Sequence, residues 1–185
     1  MSENHAVPDR STCLAIMDAS DMLPHIRLHS LEVCRVAVAL ARRLNERGAR
    51  YDIAEIEAAA LLHDITKTRS LSTGENHSLS GCAAVAAHGY HGVADIIRQH
   101  VAPDSGGPDI SAAEIVSYAD KRVLHDRVVS LHERFAYLKN RYGKSPLDIE
   151  RIDAAHQRTR EIERRIALML PGGFHVDFLD SPGGG

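Results

Sequence analysis

Apolar positions along this chain recur at helical spacing over most of its length. From His25 to Arg47, the residues Leu28, Leu31, Val33, Cys34, Val36, Val38, Leu40, Ala41 and Leu44 trace one helical pattern. Leu23-Pro24 reads as its start and Gly48 as its stop. Asp52, with Glu55 three residues on, reads as a capping box that opens a second helix. That helix runs through Ala58, Ala59 and Ala60 into Leu61-Leu62-His63-Asp64, and a loop with Ser70, Ser72, Thr73 and Gly74 follows. Asn76 or Ser78 starts the next helix, which ends near Gly89, and Gly92 to Val101 reads as a short amphipathic one. Pro103 to Pro108 is the clearest loop. Ser111, with Glu114 in the box position, caps a helix that continues through Asp120 to Leu124. Helical stretches from Val128 to Tyr142 and from Pro146 to Leu170 complete the pattern. The expectation is an all-α, single-domain bundle of five to seven helices, with Phe174 to Leu179 as its sole strand-like run.

Within that domain the pattern sets four parts. Residues 1–22 form a loose N-terminal extension with one short helix, 23–142 the core, 143–171 a long charged helix, and 172–185 a flexible tail closing on Pro-Gly-Gly-Gly. At 185 residues and 44% hydrophobic content, one substantial core can be buried. The formal net charge of −3 argues against wholesale nucleic-acid binding. No apolar run is long enough to span a membrane, and the N-terminus lacks the basic-then-apolar order of a signal peptide, so a cytoplasmic protein is expected.

The cysteines (Cys13, Cys34 and Cys82) are odd in number and far apart, with no zinc-ribbon spacing. Cys34 and Cys82 read as small buried hydrophobes. Histidine is the anomaly: there are 12, and without paired cysteines they offer a metal nitrogen ligands alongside carboxylate oxygen. The polar residues set in otherwise apolar helical stretches are His29, His63, Asp64, His77, His100 and Asp120. Adjacent positions on a helix lie about 100° apart, so His63 and Asp64 can meet one ion only if other helices bring further ligands. The alanines before them allow that close approach. Imidazole and carboxylate without thiolate suit iron, manganese, zinc or magnesium alike.

Each residue also has a bland reading. A single histidine on an apolar helix is commonly a hydrogen-bonded core side chain, and His77 stands at a helix start where it could be exposed. His25 pairs with His29 at i, i+4, but Pro24 puts it in the first helical turn. His88 and His91 flank glycines, while His125, His132 and His156 fall on charged stretches and read as surface. Lys67 could be a solvated helix end, and Lys121-Arg122 plain surface charge. The mixed-sign run Arg158 to Arg165 reads as a solvated helix face.

Taken together, Arg27-Leu28-His29-Ser30, Leu62-His63-Asp64 with Lys67 following, and Tyr118-Ala119-Asp120 resemble the HD superfamily of metal-dependent phosphohydrolases. Its signature is a histidine, an adjacent His-Asp pair and a distal aspartate. His77 and His100 are similar to the additional ligands of dinuclear members, including the HD-type bacterial dinucleoside tetraphosphate hydrolases. The similarity spans roughly Pro24 to Arg141.

That resemblance implies a first divalent ion held by His29, His63, Asp64 and Asp120, and a second held by His77 and His100, with Asp64 bridging. It further implies catalytic roles for Asp64 and Lys67, phosphate contacts from Lys67 and Arg122, and a small phosphorylated substrate, a nucleotide or dinucleotide first among them. Two competitors follow: an HD-fold di-iron oxygenase, which would consume oxygen without releasing phosphate, and a ligand-sensing HD module, which could lose ligands freely. A homo-oligomer formed through the charged helix Pro146 to Leu170 stays open.

Overall fold

The computed structural model describes residues 6–104, 107 and 109–171. Nine helices account for most of them: α1 (Arg10–Ala19), α2 (Pro24–Asn45), α3 (Ile53–Leu62), α4 (Lys67–Thr73), α5 (His77–Ala86), α6 (His91–Gln99), α7 (Ala112–Lys121), α8 (Leu131–Tyr142) and α9 (Pro146–Met169). The sheet content of the described residues is one two-residue antiparallel hairpin, β1 (Val123–Leu124) with β2 (Arg127–Val128). The molecule is an all-α bundle. The strand-like run Phe174 to Leu179 and the tail lie outside the described residues.

Local chemistry places the helix ends where the sequence puts them. Asp52 accepts from the amides of Ala54 and Glu55, Asn76 from those of Ser78 and Leu79, and Ser111 with Glu114 completes a reciprocal capping box. Gly48 adopts φ +98°, the left-handed conformation that ends a helix most easily at glycine. α2 is the central element, packing against both α3 and α7, while α5 packs on α6 and α8 on α9. Ala58, Ala59 and Ala60 are fully buried there, as the expected close approach requires. Cys34 is buried as expected, whereas Cys82 is half-buried.

Three departures concern the boundaries. The helix count exceeds the expected five to seven because α1 is a well-capped helix and because the serine-rich stretch after Lys67 coils into α4. The helix carrying Asp120 stops at Lys121 instead of running on to Leu124, since Val123 and Leu124 pair with Val128 and Arg127. The following helix consequently begins at Leu131 behind its Ser130 cap, and not at Val128. Among the described residues no helix is long and apolar enough to cross a membrane.

α9 is fastened to α7 by a buried ion pair. Arg165 Nη1 donates to Glu114 Oε1 at 2.6 Å, and its Nη2 donates to the Asp109 carbonyl at 2.5 Å. Because the Glu114 side chain is only 3% exposed, Arg165→Ala would strand a carboxylate out of water. The expected loss is about 3–5 kcal/mol in a urea titration, whereas a shift within experimental error would mean that water or another cation fills the gap.

Candidate metal centre

The His63-Asp64 pair does not lie along a continuous helix. α3 ends at Leu62, the amides of Ile65 and Lys67 bond back three residues to Leu62 and Asp64, and the chain turns sharply before α4. Thr66 anchors this turn to α5, its hydroxyl donating to the His77 carbonyl at 3.0 Å and meeting Ser80 Oγ at 2.8 Å. Gly81 lets α6 approach α5 closely there, since a Cβ would lie 3.3 Å from Ile97 Cγ2. The turn aims His63 and Asp64 inward together, which a straight helix could not do.

Around it gather His29 from α2, His77 from the first position of α5, His100 capping α6 and Asp120 near the end of α7. The rings touch in sequence: His29 and His63 centroids are 5.6 Å apart, His63 and His100 5.1 Å, and His77 and His100 5.1 Å. Five of the six residues are buried and His77 is partly so.

Three of the four imidazoles are oriented by backbone carbonyls. His29 Nδ1 faces the His125 carbonyl at 3.0 Å, His63 Nδ1 the Ala60 carbonyl at 2.8 Å, and His100 Nδ1 the Ile97 carbonyl at 2.7 Å. A carbonyl can only accept, so in each ring the proton sits on Nδ1 and the Nε2 lone pair points into the cluster. Histidines that bind metals are commonly held in this way. His77 is the exception, its Nε2 lying 3.2 Å from His100 Nε2 and 3.3 Å from Lys67 Nζ.

The lone pairs gather into two groups that share one residue. Ligand atoms of His29, His63 and Asp64 lie within 4.8 Å of one another, as do those of Asp64, His77 and His100. Asp64 gives one oxygen to each side: Oδ1 is 3.2 Å from His77 Nε2 and 3.8 Å from His100 Nε2, whereas Oδ2 is 3.7 Å from His63 Nε2. Asp120 Oδ1 stands 3.0 Å from His29 Nε2 and 3.9 Å from His63 Nε2, while Oδ2 accepts from Lys121 and Arg134 approaches from a third side.

Two features fit these residues to cations. His63 Nε2 is buried and has no hydrogen-bond partner among the described residues, a costly state for a polar atom unless something binds it. At His29 a lone pair faces a carboxylate oxygen, and either a second proton or a metal ion reconciles them. The donor set, four imidazoles and two carboxylates, suits a first-row divalent metal.

Protonation states favour the same use. Burial lowers the pKa of His63, and it brings His77 to about 4 and His100 to about 3, so these rings are neutral at pH 7. At Asp64 burial opposes the charge, but in acid, where the neighbouring rings take up protons, His63, the Lys67 ammonium, His100 and His77 outweigh it and the carboxyl sits well below its ordinary range. Burial likewise opposes charge at Asp120, where Lys121, the His29 hydrogen bond and Arg134 prevail.

These shifts set a sign for acid stability. Unfolded histidines take up protons near pH 6.5, whereas the folded rings resist until about pH 4 or 3. Their contribution is therefore complete above about pH 6.5 and is lost as pH falls from there toward the folded values. Chelator-treated protein should show a falling urea midpoint between pH 7 and pH 4.5, with a shallower fall in His100→Asn. A midpoint that rises on acidification would contradict this reading.

A cavity of about 750 Å³ opens onto the cluster, with His29, Asp64, His77, His100 and Asp120 in its wall. Lys67, a sequence-predicted phosphate contact, lines it as well. Arg122 does not, contrary to expectation. Its Nε donates to the Val129 carbonyl at 2.8 Å and its Nη1 to the Tyr118 hydroxyl at 2.6 Å, which commits the guanidinium to those two acceptors. The cation beside Asp120 is instead Lys121, with Arg134.

Other contributors escape a reading of the sequence. His25 and His125 both reach the cavity wall, and His125 adopts φ +58° with its carbonyl turned to His29. Most of the remaining wall comes from α8 and α9, including Arg134, Phe135, Leu138, Arg141, Tyr142 and Arg151. Their signal is the i, i+3, i+4, i+7 spacing along α8, which reads equally well as plain core packing.

A model of the HD domain family matches residues 27–124. Curated proteins yield no match. Among solved structures, the chain is similar to a predicted HD superfamily hydrolase from an uncultured Thermotogales bacterium, with a TM-score of 0.52 and 20% identity over 89% of this chain and 95% of that one. Identity that low speaks to the fold alone. The family match is the stronger finding, since it covers more than half of the 185 residues and contains all six of the expected ligands. On that ground the chain belongs to the HD domain family.

Proposed function

We propose that this protein is a metal-dependent phosphohydrolase that uses two divalent ions to cleave a phosphate ester or anhydride of a small substrate, a nucleotide being the leading candidate. The observation that carries the proposal is the division of Asp64, one oxygen toward His63 and the other toward His77 and His100. His29, His63 and Asp64, with Asp120 beside them, would hold one ion. Asp64, His77 and His100 would hold the other. Divalent ions bound there supply Lewis acidity toward a phosphoryl oxygen and make water a better nucleophile at neutral pH.

The chain's own groups do the rest. Burial keeps bulk water from His63, His77 and His100 and holds these three imidazoles in the neutral form that binds metal. The carbonyls of Ala60, Ile97 and His125 hold the rings in place before any ion arrives. Lys67 stands at the cavity wall with its ammonium 3.3 Å from His77 Nε2, where it can turn to a phosphoryl oxygen and stabilise its charge. Five lysines and arginines line the cavity against two carboxylates, a balance that favours an anionic substrate. The test is to reconstitute chelator-treated protein with manganese, iron, zinc or magnesium and to assay phosphate release from phosphomonoesters, phosphodiesters and nucleoside polyphosphates. Metal-dependent release supports the reading, and oxygen uptake without phosphate release overturns it.

A further inference from the structure

The far wall of the cavity belongs to neither the ligand cluster nor the matched family segment. It comes from α8 and α9, beyond residue 124. Along α8, Arg134 and Arg141 are seven residues apart, so they project from nearly the same face, with about 10 Å between them along the axis. Arg134 marks the inner end, its Nη2 lying 3.7 Å from Asp120 Oδ1, and its Nε is buried without a hydrogen-bond partner among the described residues. Arg141 lies two turns further along α8 from Asp120, and Arg151 of α9, two residues from the Lys139–Asp153 ion pair that joins the helices, lines the same cavity. Neither Arg141 nor Arg151 forms a hydrogen bond or ion pair among the described residues. Phe135 and Leu138 lie between Arg134 and Arg141 along α8, and Tyr142 and Ile152 add to the apolar and aromatic wall.

We infer that the cavity takes an elongated substrate that is anionic at both ends. One end is the phosphoryl group presented to the Asp64 cluster beside Arg134. The middle is an apolar or aromatic body, and the far end is a second anionic group held by Arg141 and Arg151. An isolated exposed arginine is ordinary surface charge. Two of them without carboxylate partners among the described residues, in a cavity that also holds the candidate cluster, form a recognition element. Arginine suits that task because its planar fork meets a carboxylate or phosphate with paired hydrogen bonds. Substrate selection would then reside in the C-terminal helical pair, and the chemistry in the matched segment. This deepens the phosphohydrolase reading and rests on it for the position of the first anionic group.

A matched pair of probes tests the inference: biphenyl-4-yl phosphate and its 4′-carboxy derivative, which differ only in an anionic group beyond the second ring. With metal-replete full-length protein, kcat/KM is measured for both. Wherever turnover is absent, the Kd of each is measured by calorimetry. The carboxylated probe should be preferred roughly 10-fold to 100-fold, the scale of one charge-assisted hydrogen bond. Arg141→Ala and Arg151→Ala should each shrink that ratio, Arg141→Glu should invert it, and Arg141→Lys should restore part of it. Turnover of both probes at a ratio near one leaves the hydrolase reading standing and overturns the second-anion inference. Carboxylate-dependent binding without turnover does the reverse. A preference that survives Arg141→Glu and Arg151→Ala also overturns the inference, and failure of both probes to bind or react overturns both readings.

Discussion

Asp64→Ala should strip the protein of both ions and abolish phosphate release, while the helical fold persists. Asp64 supplies the only ligand common to the two groups, one oxygen to each. Without it, the first group keeps His29 and His63 with Asp120 at its edge, and the second keeps two imidazoles. Neither then fills a coordination sphere as before. Turnover should drop on the order of 10³-fold or more, the scale of losing a principal electrostatic element. Far-ultraviolet circular dichroism should change little, because the turn is held by backbone bonds and by Thr66, not by the Asp64 side chain. Asp64→Asn separates charge from shape, since it keeps an oxygen but loses the shared anion, and metal content should again fall. Full occupancy of both ions in Asp64→Ala would remove the basis for a bridging carboxylate.

Lys67→Ala should have the opposite signature in a metal assay and a similar one in an activity assay. An ammonium cannot ligate a cation at neutral pH, so the ions should remain. Removing Lys67 even frees His77 Nε2 from its closest cationic neighbour, at 3.3 Å, which predicts unchanged or tighter metal binding. Turnover should nonetheless drop by roughly 10²-fold to 10³-fold, the usual effect of deleting one contact to charge that develops in the transition state. Wild-type activity in Lys67→Ala would make Lys67 a plain helix-start residue. The cation at the phosphoryl group would then be sought at Lys121 or Arg134, which flank Asp120.

The candidate cluster was legible in the sequence because a buried polar residue in an apolar helical stretch has few uses. Six such residues fell in an order that resembles one family, and the structure brings all six to one place. The fold class was legible for a related reason, in that apolar spacing and the caps at Asp52, Asn76 and Ser111 are local signals. What sequence could not supply is direction. His63 and Asp64 read as helical neighbours, yet three-residue backbone bonds tighten the chain there into a turn that points both inward. Arg122 seemed well placed beside Asp120, but the hairpin that follows needs its guanidinium at the Val129 carbonyl. Hairpin strands of two residues leave no period to detect. Arg134, Arg141 and Arg151 were illegible because a cationic residue on an amphipathic helix looks the same whether it faces water or a cavity.

The central claim is that one carboxylate organises two metal positions. Its most direct test is anomalous diffraction from crystals of metal-replete protein, collected on both sides of the absorption edge of the metal found by elemental analysis. The account predicts two peaks, one bounded by His29, His63 and Asp64 and the other by Asp64, His77 and His100, with Asp64 touching both. Metal-replete crystals with no peak at the cluster, or with peaks that Asp64 does not touch, would contradict it.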